Sequence, residues 1–301
     1  MVGMSLFNEL HTIRDFLRYA ISCFEANNLY YGHGTDNAKD EAYYLIWHAL
    51  NLPHYLSKDV LNARLLKQEK VRVCQLINKR INTRMPAAYL TNKIWFANLE
   101  FYVDQRVLIP RSALAEVINE QFQPWLALNK ISNILEIGTG SACIAIACAT
   151  TLPNVTVDAT DIAATALEVA KINVLRHQLG KRVNLYQADL FPDTQKKYDI
   201  IISNPPYVSI AEMPQLPPEY HHEPTVALVA GDDGLAYVKQ ILLRASSYLS
   251  NQGILVMEVG NSKAALVALF PELPFIWLDY AAGDLGIFII AAQHLPQATT
   301  T

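Results

Sequence analysis

Paired cysteines are missing from this chain. Its four (Cys23, Cys74, Cys143 and Cys148) form no C-x-x-C spacing, which removes the usual signatures of a zinc site or a redox dithiol. Cys143 and Cys148 stand in an Ala/Ile-rich run that reads as a buried helix, so reduced core thiols are expected. No uninterrupted apolar run approaches the length of a bilayer span, and Met1 to His11 carries no basic segment leading into an apolar stretch. A soluble, cytoplasmic protein without a secretory signal is expected. An overall excess of positive charge is also missing: the formal net charge is −4, unlike a surface built throughout to grip nucleic acid. Charged residues make up 17% of the 301 and hydrophobic ones 51%, which predicts a substantial core in one large domain plus a smaller one.

The charge is unevenly spread. Residues 58–84 hold eight basic residues (Lys58, Arg64, Lys67, Lys70, Arg72, Lys79, Arg80, Arg84) against Asp59 and Glu69, a net of +6. A solvated helix face accounts for such a run; the alternative is a docking surface for an RNA-rich or acidic partner.

Periodicity divides the chain. Leu6, Leu10, Ile13, Phe16, Leu17 and Ala20 recur at helical spacing, as do Leu65, Val73, Leu76, Ile77 and Ile81, with another apolar helix from Ala42 to Leu50. Residues 1–84 therefore read as a helical recognition domain. Residues 85–129 read as a linker. In it a hairpin turns at Ala97-Asn98 between Ile94–Phe96 and Leu99–Val103, a further strand covers Val107–Ile109, and Ser112 caps a helix running to about Trp125. From residue 130 to 294 strands and helices alternate, which predicts an α/β domain with a seven-stranded, mostly parallel sheet. The strands are expected at Ile131–Ile137, Val155–Thr160, Val183–Gln187, Tyr198–Ser203, Ile254–Val259, Phe275–Tyr280 and Gly286–Ala291. Helices are expected from Ala142, from Ala163 to Gln178 and from Gly234 to Leu249, and residues 295–301 form a tail.

The first of these strands ends in Glu136-Ile137-Gly138-Thr139-Gly140-Ser141. Such glycines let backbone N–H groups face a ligand at a helix start. Asp161 closes the second strand, 21 positions after Gly140, where an acid takes both hydroxyls of a ribose. Asp189 follows the third, placed to receive an adenine amino group, with Leu190 or Phe191 packing on the ring. A dinucleotide fingerprint wants a third glycine, yet Ala142 and Cys143 stand there, and Glu136 sits poorly beside a pyrophosphate. Glu136 suits a helix or loop N–H, or an ammonium group. S-adenosylmethionine, cationic and without phosphate, is the favoured cofactor.

The fourth strand ends in Asn204-Pro205-Pro206-Tyr207. An Asn oxygen and a main-chain carbonyl held between two prolines accept both hydrogens of a planar NH2 group, and a neighbouring ring covers its face. Chemistry on an amide or an aromatic amine nitrogen is implied, and the motif alone leaves both open.

This order of elements resembles class I S-adenosylmethionine-dependent methyltransferases, a Rossmann-like fold, that act on exocyclic or amide nitrogens through an N-P-P-Y motif. Leu108-Ile109-Pro110-Arg111-Ser112 and the helical N-terminal region narrow the resemblance to the protein-(glutamine-N5) methyltransferases of the translation machinery. One branch of that family modifies peptide chain release factors, the other the third protein of the large ribosomal subunit. Ser112-Ala113 stands where the release-factor branch continues with Pro-Glu. Gly231-Asp232-Asp233-Gly234-Leu235 and Glu258-Val259-Gly260-Asn261-Ser262 also resemble the ribosomal branch, and the similarity runs from about Leu29 to Ala291.

The resemblance implies a cofactor held by Glu136, Gly138, Thr139, Gly140, Asp161, Ile162, Asp189, Leu190, Phe191 and Asn204, with no metal. It places catalysis at Asn204, Pro205 and Tyr207, and substrate contact at those three, Pro206 and Arg111. Arg111 pins the linker against cofactor or substrate, or anchors it structurally. Where the family's turn continues G-S-G, this chain has Ser141-Ala142, a methyl group expected at helix position N1 with slightly altered packing and retained cofactor binding.

Two rivals remain. An adenine-amino methyltransferase on RNA or DNA uses the same tetrapeptide but needs a basic module to present a flipped base. Residues 85–301 hold 13 basic and 20 acidic residues, a net of −7, which weighs against it. A scaffold without catalysis has no need of an intact Asn204–Tyr207. The basic segment 58–84 is the place for any contact with ribosomal RNA. His221 and His222 invite a base role, but amide methylation requires no strong base, so they are expected to shape a lid or touch substrate. The long segment Val208 to Gly231 is the expected lid.

Overall fold

Thr12 opens the first helix by a reciprocal cap: its hydroxyl accepts from the Asp15 amide at 3.2 Å while the Asp15 carboxylate accepts from the Thr12 amide at 2.7 Å. The helix α1 (Ile13–Ala26) then buries Ile13, Phe16, Leu17 and Ala20 of the predicted stripe, and Phe24 beyond it. The computed structural model describes residues 9–53, 58–280 and 283–297; Leu6 of the predicted stripe lies outside them. α2 (Ala38–Leu50), α3 (Lys67–Thr83) and the short α4 (Ala87–Thr91) complete a helical cluster around Phe16, Phe24, Leu45, Ile46 and Ile77.

The chain divides into two compact units. One runs to Ile94 and includes Pro217–His222; the other holds Trp95–Leu216 and the chain from Glu223 onward. The expected linker 85–129 is shared between them.

Within the helical unit, Arg80 is 1% exposed and lies between two carboxylates. Its Nε donates to Glu41 at 2.7 Å, Nη1 to Glu219 at 3.0 Å and Nη2 to the Tyr30 carbonyl at 2.8 Å. Burial pushes the Glu41 carboxyl up despite Arg80. Burial acts the same way on Glu219, but the Tyr30 amide and Arg80 outweigh it and hold that carboxyl below its ordinary value. Glu219, unlike Glu41, gains a backbone donor, the Tyr30 amide at 3.1 Å; Arg84 Nε also lies 3.0 Å from it. Arg80 and Arg84 are thus engaged internally, and among the described side chains of the basic run Arg64, Lys67, Arg72 and Lys79 are exposed.

The hairpin forms as predicted, with β1 (Ile94–Phe96) and β2 (Leu99–Phe101) joined by Ala97 and Asn98 at φ 47° and 62°. Two positive φ values are what a type I′ turn requires. Residues 107–109 do not form a strand. The helix expected to reach Trp125 is only α5 (Leu114–Asn119), because Gln121 and Phe122 take positive φ (56° and 60°) and Phe122 turns into the core.

The second unit alternates β3 (Asn133–Ile137), α6 (Cys143–Thr151), β4 (Thr156–Asp161), α7 (Ala164–Arg176), β5 (Val183–Gln187) and β6 (Tyr198–Ser203). It continues with α8 (Ala236–Arg244), β7 (Leu249–Glu258), α9 (Lys263–Leu269), β8 (Ile276–Tyr280) and β9 (Gly283–Ala291). The seven strands lie in the order β5-β4-β3-β6-β7-β9-β8, and β9 runs antiparallel to both its neighbours. Ile200, Ile201 and Ile202 are all fully buried, as a central parallel strand covered on both faces demands. The helix α8 stops at Arg244 and not at Leu249, since Leu249 already begins β7 beside Tyr198. The sequence reading missed α9.

Strand order reverses at β3, which pairs with β4 on one side and β6 on the other. A crevice at the carboxyl ends of such strands is where α/β sheets hold ligands. No described helix is long and apolar enough to cross a membrane.

Replacing Arg80 by alanine leaves Glu41 and Glu219 buried without their cation. The loss expected is about 3–5 kcal/mol, read as a lowered urea midpoint of the helical unit; an unchanged midpoint would show that the cluster is not ionised as drawn.

Candidate active site

The turn after β3 is held from beneath by Glu136. Its Oε2 accepts from the Thr139 hydroxyl at 2.5 Å and from the Ala145 amide at 2.9 Å, while the Thr139 amide donates to the Thr160 carbonyl at 2.8 Å. Glu136 is 1% exposed, and burial pushes its carboxyl up to about 8, against those two donors. It therefore holds the helix start. Glu136 and Thr139 shape the turn and are not among the residues that line the cavity.

Ala142 is the N-cap of α6 and not its first residue, with φ 63° and ψ 24° and no exposure. The expectation of a harmless methyl at N1 is corrected here: this is the left-handed region, which an L side chain enters at a cost. The Asn173 amide donates to the neighbouring Ser141 carbonyl at 2.9 Å and helps to hold the turn in that shape.

A cavity of about 110 Å³, partly open to solvent, lies at the carboxyl ends of β3 to β6. Gly138 and Gly140 line it, with Asp161, Ile162, Asp189, Leu190, Asn204, Pro205 and Pro206. Nine of the residues singled out from sequence thus converge on one space. Asp161 Oδ2 accepts from the Gly140 amide at 2.8 Å and Oδ1 from the Ala163 amide at 2.9 Å, which ties the turn to the end of β4. Burial raises the Asp161 carboxyl and these amides pull it back. Ile162 is 54% exposed and offers an apolar face at the rim. Asn204 lines the cavity, and its carboxamide makes no hydrogen bond with a described residue.

Besides Glu136 and Thr139, three more expected residues lie off the cavity wall. Phe191 stacks on Tyr248 with centroids 4.4 Å apart, under the Arg244 guanidinium, so Leu190 is the one of the pair that faces the cavity. Arg111 spends its fork on Glu223, at 2.6 and 2.8 Å, and Glu223 also accepts from the Ile109 amide at 2.9 Å. Loop anchoring, not substrate contact, is what this geometry provides. Tyr207 does not line the cavity; its hydroxyl donates to Glu258 at 3.2 Å.

His222 Nε2 lies 2.7 Å from the Thr83 carbonyl, and neither His221 nor His222 lines the cavity. The wall includes residues that sequence reasoning missed: Arg106 to Leu108 from the linker, Val226 and Ala227 from the long loop, and Tyr237 of α8. Val226, an apolar residue 48% exposed, is the kind of signal that only a structure reveals.

The methyltransferase small domain family matches residues 114–215, from α5 through β6 into the loop beyond. Longer matches cover almost the whole chain. The ribosomal protein uL3 glutamine methyltransferase of Neisseria meningitidis serogroup B is 46% identical over 288 residues, 95% of each protein. The enzyme of the same name from Francisella tularensis subsp. tularensis is 42% identical over 292 residues, 96% of this chain and 93% of that one. The chain belongs to the ribosomal protein uL3 glutamine methyltransferase family. That is the branch to which Ser112-Ala113 and the motifs after residue 230 point. The hMettl16 catalytic domain, solved in complex with the MAT2A 3'UTR hairpin 6, aligns with TM-score 0.53 over 85% of this chain and 95% of that one, at 16% identity. This last likeness is one of fold alone, the class I methyltransferase sheet.

Ala142→Gly removes the left-handed strain, and the unfolding free energy in urea should rise by about 0.5–1 kcal/mol. A fall would mean that the methyl group's packing outweighs the strain. Glu136 gives a pH signature of known sign. Its native carboxyl keeps a proton that the unfolded chain, near the ordinary 4.5, releases. Its stabilising contribution is therefore full below that value and is lost as pH rises through about 8. In Glu136→Gln this part of the pH dependence of the urea midpoint should flatten.

Proposed function

We propose that this protein transfers a methyl group from S-adenosylmethionine to the side-chain amide nitrogen of a glutamine in the large-subunit ribosomal protein uL3. The observation that carries the reading is Asn204, which lines the cavity and whose carboxamide makes no hydrogen bond with a described residue.

The acceptors suit the chemistry. An amide nitrogen is a poor nucleophile because its lone pair is delocalised into the carbonyl. Asn204 Oδ1 and the Pro205 carbonyl would accept its two hydrogens, push electron density back onto nitrogen and fix its direction of attack. Such orientation is worth up to about 7–11 kcal/mol in favourable cases. When bound, S-adenosylmethionine supplies an electrophilic methyl carbon on a sulfonium. The nitrogen becomes acidic once alkylated, and its proton passes to the same acceptors or to water, so no strong base is needed.

The lining fits that cofactor. Asp161 and Asp189 are the carboxylates facing the cavity, suited to ribose hydroxyls and an adenine amino group, with Ile162 and Leu190 against the ring. The one lining arginine, Arg106, is occupied by Asp104 and Glu168 at 2.6 and 2.7 Å. A pyrophosphate would therefore meet two acids and an already paired cation. The reading includes a contact with ribosomal RNA through Arg64, Lys67, Arg72 and Lys79, supported by their charge and exposure. It also places the protein in the cytoplasm, where ribosomes assemble.

Purified protein with labelled S-adenosylmethionine should label uL3 and leave release factor and free RNA unlabelled. Label confined to release factor would move the protein to the other branch, and label confined to RNA would end the glutamine reading. Asn204→Ala should lower transfer by roughly 100-fold or more while cofactor affinity stays within about threefold.

A further inference from the structure

Two sequence motifs play no part in the cavity wall: Gly231-Asp232-Asp233-Gly234-Leu235 and Glu258-Val259-Gly260-Asn261-Ser262. The fold brings both against Tyr207. The Tyr207 hydroxyl donates to Glu258 Oε1 at 3.2 Å, and its carbonyl accepts from the Ser262 hydroxyl at 3.2 Å. A Cβ on Gly260 would stand 2.7 Å from Cε2 of the Tyr207 ring, and one on Gly234 would stand 2.4 Å from the Tyr207 carbonyl oxygen. Both glycines have positive φ, 49° and 71°, so the backbone is bent to approach and no side chain fits between. Tyr207 is gripped at its hydroxyl, its ring and its carbonyl, directly after the Asn204–Pro206 stretch that lines the cavity.

Glu258 does more than cap this socket. It is 7% exposed, ends β7, and its other oxygen accepts from the Ser112 hydroxyl at 2.5 Å. The Ser112 oxygen in turn accepts from the Leu114 amide at 3.1 Å, at the start of α5. One buried carboxylate thus joins the linker element 108–112 to the last residue of the N-P-P-Y segment. Its direct side-chain hydrogen bonds come from two hydroxyls, Ser112 and Tyr207, on two segments that flank the site. Burial drives its carboxyl upward, and the Ser112 and Tyr207 hydroxyls, the nearby Arg111 charge and the Ala113 amide oppose that.

We propose that Glu258 is a positioning residue for methyl transfer: acting through the hydroxyl of Tyr207, whose ring and carbonyl are seated by Gly234, Gly260 and Ser262, it sets the orientation of the Asn204–Pro205 acceptors. This rests on the amide-methylation reading above. Glu258 touches neither the cavity nor a substrate, so its influence passes through Tyr207.

The test uses the full chain with uL3 and S-adenosylmethionine. Glu258→Ala should lower kcat by roughly 10- to 100-fold, as a misplacement of about an ångström does. KM for uL3 and the cofactor Kd should stay within about threefold. Glu258→Gln, which keeps an acceptor for the tyrosine, should restore kcat to within about fivefold of the starting protein. Adding Glu258→Ala to Tyr207→Phe should cost little beyond the first change, since coupled residues are non-additive. Full additivity, or a fall in cofactor affinity in step with kcat, would overturn the proposal in favour of a merely structural carboxylate.

A second readout needs no substrate. 3-Fluorotyrosine placed at position 207 should give one narrow fluorine resonance that shifts or broadens in Glu258→Ala. An unchanged resonance refutes the positioning role. Should the starting protein methylate nothing, the functional reading fails, and the fluorine spectrum still decides whether Glu258 orders Tyr207.

Discussion

A single pairing carries the site: β3 against β6, parallel, with Ile137 opposite Ser203. The Ser203 hydroxyl donates to the Ile137 carbonyl at 2.8 Å where both strands leave the sheet. Side chains in a strand alternate between faces, so a slip of one residue would turn Asn204 away from the glycine turn. Buried Tyr198, whose hydroxyl donates to Asp158 at 2.9 Å, opposes such a slip, because a displacement would put Asp199 or Lys197 in its place in the core. Burial energy spent along β6 is thus what holds a polar side chain to a defined place at its end.

The long loop after Tyr207 is ordered by charge. Glu219 is held with Arg80, Arg84 and the Tyr30 amide in the helical unit, and Glu223 with Arg111 and the Ile109 amide in the sheet unit. Its ends close as a short ladder, with Val208 and Ile210 donating to Leu228 and Gly231. Acids this buried are costly unless paired and hydrogen-bonded, so the pairs constrain where the loop runs more than they add stability. Pro224, Val226 and Ala227 reach the cavity wall from that anchored segment.

Much of this was legible in the residues. Helical periodicity marked α1, α2 and α3, and the Ala97-Asn98 turn marked the hairpin. β5 and β6 fall where their apolar patterns end, between polar neighbours that admit one register. The failures have physical causes. α5 stops early because Gln121 and Phe122 turn left-handed to bury the Phe122 ring, which no local propensity foretells. α9 went unseen because its seven residues bury only Leu266, too few for a period to show. Arg111 and Phe191 were assigned by adjacency to motifs, whereas their partners Glu223 and Tyr248 lie 112 and 57 positions along the chain.

The residues alone established the chemistry available: a glycine turn, two acids at strand ends and an Asn-Pro-Pro-Tyr clamp, because each is a local arrangement of a few consecutive positions. They also established the order of the strands along the chain. Which side chains face the cavity was decided by tertiary structure. Leu190 was taken over Phe191, Asn204 was left open and Tyr207 was drawn off to Glu258, because each choice turns on competition for partners far away in sequence. Ala142 shows the same division: its identity is plain from the chain, but only the fold, by requiring a left-handed residue there, makes its methyl group a strain.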